Sequence, residues 1–273
     1  MCRVLDVSRS GYYAYKKRPK SPGRIKNETL LIEIRRVFLA NKENYGSPRI
    51  WNELNNVEHT PCSENRVARV MRINGIIAVQ KKKFRLTTNS KHGYSVWPNV
   101  LNRIFTVDRP NAMWVSDITY VWTLEGWLYL AVILDLFSRG IVGLAMDDTI
   151  ADTLIIRAMN QAIIQRHPGK GLILHSDRGS QYAGNDFKAI LSGYEFVGSM
   201  SKKGDCWDNA VAESFFHTIK VELINRIRFA TREQAKRMIF EYVMMYYNCK
   251  RAHSTLGYLS PVAYEKKHAV CLN

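Results

Sequence analysis

Apolar residues recur along this chain in two rhythms, and the rhythm changes near residue 112. Before that point the spacing is helical. In "NETLLIEIRRVFLA", Leu30, Ile34, Val37 and Phe38 fall on one face of a 3.6-residue period, which predicts a helix. "SRSGYYAYKKRP" offers Ser8 as a helix cap and Pro19 as a stop, and "YGSPRIWNELNN" offers Ser47 as a cap with Pro48 at the first helical position. "SENRVARVMRING" begins with the capping Ser63 and ends at Gly75. From Gln80 to Asn111 no period is sustained, so this stretch reads as a connector.

After Ala112 the pattern turns to strands. "MWVSDITYVW" alternates, "WLYLAVILDLF" is a nearly continuous apolar run, and "GIVGLAM" follows the tight turn Ser138-Arg139-Gly140. These three strands are expected to be antiparallel. A helix over "TIADTLIIRAMNQAIIQRH" is closed by Pro168-Gly169, and the strand "GLILHSD", the helix "AGNDFKAILSG", the strand "YEFVGSM" and the helix "DNAVAESFFHTIKVELINR" follow. A last helix, "TREQAKRMIFEYVMMYYN", precedes a short tail. The order predicts an α/β fold, a mixed five-stranded sheet flanked by helices, behind a small helical domain. The expected boundaries are a basic helical region over 1–79, a connector over 80–111, a core over 112–230, and a C-terminal helix and tail over 231–273 packing on that core.

Charge sharpens this division. Lys and Arg number 40 against 24 Asp and Glu, a formal +16. Residues 1–110 hold 22 basic and 8 acidic side chains, whereas residues 111–273 hold 18 and 16. A field of that sign favours a polyanion, and nucleic acid is the commonest soluble one. No uninterrupted apolar stretch reaches the ~20 residues a membrane span needs, and the first twenty residues lack the apolar region of a signal peptide. Five scattered cysteines without a Cys-x-x-Cys pair argue against a disulfide framework and a zinc site. The expectation is a cytoplasmic protein with reduced thiols and no membrane partner.

The two short helices around Pro61 resemble a helix-turn-helix, and Arg66, Arg69 and Arg72 recur every third residue on the second of them. Either that helix faces DNA or the module merely carries a solvated basic face. In the connector, Lys81, Lys82 and Lys83 interleave with Phe84, Tyr94, Trp97 and Phe105, a composition that suits a phosphate backbone and stacked bases. Simple packing on a neighbouring domain accounts for it nearly as well.

Three acids raise a different chemistry. Asp117 shares a strand face with Val115 and Thr119, Asp177 ends the apolar run Gly171–Leu174, and Glu213 lies one turn into a helix in a stripe with His217 and Lys220. A carboxylate at the exit of a buried strand costs several kcal/mol unless something pairs with it. Carboxylates gathered on rigid elements repel one another until a hard cation is bound, and oxygen ligands select Mg²⁺ or Mn²⁺. Taken singly, each acid is more simply a helix cap or an ion-pair partner. Asp135 reads as a structural acid, its alternative being a metal role, His175 and Ser176 as walls beside Asp177, and Gly179, Ser180 and Gln181 as a turn above it. Asn209 is a candidate cap for the Glu213 helix. Trp207 suits a stacked base or hydrophobic support of its loop equally well.

Thirty-five residues separate Asp177 from Glu213, and Lys220 follows seven after it. Asp117, Asp177 and Glu213 in this spacing resemble the D,D(35)E signature of the retroviral-integrase and transposase superfamily. The phrases "WVSDITYVWTLEGWLYLAVILDLFSRGIVGLAM", "HSDRGSQY", "SMSKKGDCWDNAVAESFFHTIKVEL" and "HSTLGYLSPVAYE" are similar to the second reading frame of the IS-three family of bacterial insertion-sequence transposases. "VSRSGYYAY" and "YGSPRI" extend the similarity over nearly the whole chain. The resemblance implies an RNase H-like core and two Mg²⁺ ions held by Asp117, Asp177 and Glu213, with Mn²⁺ as a substitute. It implies DNA cleavage and strand transfer at terminal inverted repeats, with target DNA as second substrate and a homo-oligomer in the synaptic complex. Lys220 would be a DNA contact near the scissile site, its alternative being a plain helix-surface lysine. "YNCKRAHS" carries Cys249 and Ala252 where the family commonly has arginine, which weakens DNA contact there, and "LNRIFTV" has Ile104 where a polar residue is more usual. The family also commonly joins an upstream frame bearing a full helix-turn-helix and leucine zipper. Neither appears here, so the expectation is an unfused second-frame product whose partner is the upstream-frame protein. A DNA-binding regulator without cleavage, and a nuclease without joining activity, remain the competing readings.

Overall fold

The computed structural model describes residues 7–79, 97–102, 105–201 and 209–269. Backbone contacts divide it into two compact units, Met1–Val79 and Gln80–Asn273. Lys81, Lys82, Lys83, Phe84, Tyr94, Ile104 and Trp207 lie outside the described residues.

The first unit is helical. Helix α1 (Arg9–Lys17) starts where the Ser8 hydroxyl accepts the Gly11 N–H at 3.0 Å, and α2 (Pro22–Ala40) starts at Ser21 with Pro22 in the first turn. Leu30, Ile34 and Val37 of α2 are buried. Helix α3 (Ser47–Asn52) runs into a wider, π-helical turn over Glu53–Val57. The cap expected at Ser47 is displaced by one residue: Gly46 occupies the cap position and no side chain bonds there. Asn55 fixes the turn that follows, its Oδ1 accepting the Cys62 N–H at 3.0 Å, while Trp51 Nε1–H donates to Cys62 O at 3.0 Å. Helix α4 (Glu64–Ile73) then starts at Ser63, buries Val67, Val70 and Met71, and packs against α2 and α3.

The second unit is built on five strands: β1 (Met113–Thr123), β2 (Gly126–Asp135), β3 (Ile141–Asp147), β4 (Ile173–Ser176) and β5 (Val197–Met200). Their order is β3-β2-β1-β4-β5, antiparallel from β1 through β3 and parallel from β1 through β5. This is the mixed sheet that the element order predicts. Alternation along β1 and β2 sends side chains into two cores. Val115, Val121, Leu130 and Val132 meet α8 (Ala210–Glu222) and α9 (Arg232–Glu241) on one face. Trp114, Ala131 and Ile133 share the other core with α5 (Asp152–Arg166) and α7 (Asn185–Gly193), α6 (Ser180–Ala183) being the short turn before α7. Helix α5 comes so close to β3 that a Cβ at Gly143 would collide with Ala158 O.

The described part of the connector packs on the core, one of the two readings its composition allows: Trp97 covers Gly198, and Leu101 is fully buried. Two features depart from the pattern expected. Helix α9 continues as a π-helical stretch over Tyr242–Tyr247, widening the register that a single α-helix would keep. The tail is itself helical, with α10 spanning Pro261–Ala269 and the Arg166 guanidinium of α5 holding both Glu265 oxygens at 2.8 Å. Ahead of α10, the Asn248 side chain mimics a strand partner, accepting the Ile141 N–H and donating to Ile141 O, each at 2.9 Å.

Candidate active site

Strand register creates the site. Strand β4 pairs in parallel with β1 only from Met113↔Ile173 to Ser116↔Ser176. The next residues along the two strand paths are Asp117 and Asp177, so the two acids emerge side by side where β4 stops; neighbouring strands lie about 4.8 Å apart. Asp117 Oδ1 accepts the Ile118 N–H at 2.8 Å, and Asp177 Oδ1 accepts the Gly179 N–H at 2.9 Å, which fixes the turn into α6.

The electrostatics follow from this closeness. Burial raises the Asp117 carboxyl well above the ordinary carboxylate range, the charge of Asp177 raises it further, and Glu213 adds to the same effect; the Ile118 N–H and Lys220 oppose it. Below the pair, Tyr182 is buried with its hydroxyl 2.9 Å from Ser116 Oγ, and burial followed by the charges of Asp117 and Asp177 pushes its phenol well up.

Helix α8 supplies the other two groups. Ala212, Phe215, Phe216 and Ile219 are buried and seat the helix on β1, which leaves Glu213 and Lys220 half-buried on a neighbouring stripe. Desolvation raises the Glu213 carboxyl and lowers the Lys220 ammonium, Asp117 opposing the latter shift. Lys220 Nζ lies 5.2 Å from the centroid of the Tyr120 ring. Asp117 therefore feels Asp177, Glu213 and Lys220 together. Among the described residues, however, no three His, Cys, Asp or Glu side chains are gathered tightly enough to hold a metal ion. The donor chemistry still suits one at the aspartate pair, an all-oxygen set whose mutual repulsion a divalent cation relieves.

His175, expected as a wall, is a fully buried pin between β4 and β5. Its Nδ1 lies 2.9 Å from Ser199 Oγ and its Nε2 3.1 Å from Ser201 Oγ. Ser199 Oγ already accepts the Val100 and Leu101 N–H groups, so its own proton points to Nδ1 and the histidine proton sits on Nε2. Sequence reading missed Ser116 of β1, Tyr182 of α6, Ser199 of β5 and Ser201 just after it, whose roles depend on which strands become neighbours. Asp135 is fully buried and structural in its contacts, accepting the Asn111 and Phe137 N–H groups at 2.8 and 2.9 Å. Asn209 occupies the cap position of α8 but makes no capping bond. Of the arginines on α4, Arg69 and Arg72 are exposed, whereas Arg66 is half-buried and its Nε donates to Asn27 Oδ1 at 2.9 Å.

Residues 107–206 match the integrase core domain family, residues 213–268 match a second integrase core domain family, and residues 25–84 match the HTH-like domain family. The chain is thus an integrase-core protein with a helix-turn-helix-like domain, the class that its sheet and helical unit define. It is 42% identical over 268 residues to the insertion element IS600 uncharacterized 31 kDa protein of Shigella sonnei, covering 98% of each chain. It is 39% identical over 273 residues to transposase InsF for insertion sequence IS3A of Escherichia coli (strain K12), covering 98% of this chain and 93% of the other. Among solved structures, the HTLV-2 integrase catalytic core domain in complex with magnesium (dimeric form) is similar at a TM-score of 0.45 and 18% identity, over 57% of this chain and 97% of that one. The chain belongs to the IS3-type insertion-sequence transposases. No described helix is long and apolar enough to cross a membrane.

Proposed function

We propose that this transposase cuts and joins DNA at the terminal inverted repeats of its element, with Asp117, Asp177 and Glu213 as the catalytic acids. The observation that carries the reading is the in-register emergence of Asp117 and Asp177 at the open end of β4, with the Lys220 charge acting on the same carboxylate. Asp117 and Asp177 would hold Mg²⁺ or Mn²⁺, and Glu213 would complete the ligand set. When bound, a pair of such ions stabilises the attacking and leaving oxygens of an in-line displacement at phosphorus. Lys220 meets a phosphate near the scissile bond as a point charge. Water first cleaves a phosphodiester and leaves a 3′-hydroxyl. That hydroxyl then attacks a phosphodiester of target DNA, so one bond forms as one breaks. The N-terminal helices grip the DNA, and copies of the chain, with the upstream-frame protein, hold two ends together.

Labelled terminal-repeat DNA incubated with the full chain and Mg²⁺ tests this. A nick followed by joined product is expected. Binding without a nick fits a regulator, and hydrolysis without joining fits a nuclease. Asp177→Asn should abolish both products and leave DNA binding largely intact; cleavage by that variant would remove Asp177 from the site.

A further inference from the structure

We infer that the tip of the β1–β2 hairpin is a stacking surface for unpaired DNA bases, continuous with Lys220. The strands close at Thr123↔Gly126, and Trp122 faces Trp127 across them. The two indoles meet edge to face with centroids 4.8 Å apart, and Tyr120 meets Trp127 in the same manner at 5.0 Å. Lys220 Nζ lies over the Tyr120 ring. Three rings therefore lead from the Lys220 ammonium to the outer end of the hairpin. There Trp122 is 55% exposed, Leu124 57% and Trp127 43%.

The tip is held firmly. Leu124 N–H donates to Phe229 O at 3.0 Å, Arg232 N–H donates to Glu125 Oε2 at 2.7 Å, and Arg232 Nε–H donates to Trp127 O at 3.0 Å. Rings this exposed on so rigid a support signal a binding surface. The charge beside them selects the partner: Lys220 lies over Tyr120 and Arg232 reaches Trp127 O, with Glu125 the acid on the tip, and the segment 220–237 that supplies both cations carries six basic side chains against two acidic ones. Aromatic rings flanked by cations are the combination that stacks nucleic-acid bases while holding their phosphates.

Strand geometry narrows the ligand to unpaired bases. Asp117 faces the α8 side of the sheet and Tyr120 and Trp122 the other side, and Lys220 spans the two around the edge of β1 that β4 leaves without a strand partner. Trp122 lies five residue steps beyond Asp117, roughly 16 Å of strand. A DNA strand crossing that edge would meet the acids on one side and the rings on the other. Bases inside a duplex present no free face to an indole, so the surface takes a frayed end or a single-stranded extension.

This rests on the proposed action at DNA ends, and the test separates the two. Fluorescence anisotropy of the full chain, without divalent metal, compares a blunt terminal-repeat duplex with one bearing a short single-stranded extension. The extension should tighten binding by about five- to 150-fold, the range that one to three kcal/mol of stacking per base gives. Trp122→Ala should remove that advantage and leave the blunt affinity unchanged, and Trp122→Phe should restore most of it. The inference is overturned if the extension confers no advantage, if Trp122→Ala weakens both duplexes equally, or if it changes the sedimentation of the DNA-free chain, which makes the tip a self-association surface. Cleavage by Asp177→Asn would sink the catalytic reading and leave this result standing.

Discussion

Asp117 is costly to the fold because burial and Asp177 both oppose its charge. Its carboxyl binds a proton more tightly in the folded state than in the unfolded chain, so the group contributes most at low pH. Stability falls as pH rises through its elevated titration. Asp117→Asn removes that loss, since an amide cannot ionise. In metal-free buffer the melting temperature of the variant should exceed that of wild type by a margin that widens from acid to neutral pH, and added Mg²⁺ should raise the wild type alone. An identical pH response in the two proteins, measured by calorimetry, would show that the Asp117 charge is not opposed. Asp177 was legible in the sequence because an acid at the exit of an apolar run is conspicuous, and Asp117 because an acid in the middle of an alternating strand is. Their pairing through Ser116↔Ser176 was not, since parallel register depends on how α5 returns the chain to the sheet. The polar pins were hidden for a related reason: His175, Ser199 and Ser201 become partners only once β4 and β5 are neighbours.

At the scale of elements, α8 does two jobs, anchoring through Phe215 and Ile219 and presenting Glu213 and Lys220. Its last residue, Glu222, is buried and accepts from Arg251 Nη2 at 2.7 Å and from the Tyr242 hydroxyl at 2.7 Å, tying α8 to the π-helical stretch after α9 and to the chain beyond it. Arg251 lies in "YNCKRAHS", the segment whose Cys249 and Ala252 weaken DNA contact, and its own guanidinium is spent inside the protein. Removing one partner of a buried ion pair strands the other charge, which costs about 3–5 kcal/mol. Arg251→Ala should lower the unfolding free energy by that amount in urea titrations, and a change within about half a kcal/mol would mean that water reaches Glu222. Helix α10 was readable and unread: Ser260 Oγ accepts the Ala263 N–H at 3.3 Å with Pro261 beside it, a cap-and-proline signal present in "LSPVAYE". The π-helical widening after Glu241 had no such signal, because an apolar run as dense as "YVMMYY" fits either register.

For the whole molecule, the charge division visible in the sequence matches the division of labour proposed above. Residues 1–79 hold 15 basic and 7 acidic side chains, residues 80–111 hold 7 and 1, and the remainder is nearly balanced. DNA affinity of that origin weakens with salt by about one logarithmic unit of slope per phosphate neutralised. The three arginines of α4 should not contribute alike. A three-residue step turns about 60° short of a full helical revolution, so Arg66, Arg69 and Arg72 fan around the helix instead of forming one face. Arg66 is turned to Asn27 on α2, and Arg69 and Arg72 to solvent. Arg69→Ala and Arg72→Ala should therefore each reduce the slope of log affinity against log salt by roughly one and leave the melting temperature unchanged. Arg66→Ala should lower the melting temperature and leave the slope unchanged. Salt titrations of the three full-length variants decide it: a uniform loss of slope would make all three phosphate contacts, and no loss at Arg69 or Arg72 would move the DNA arm off α4.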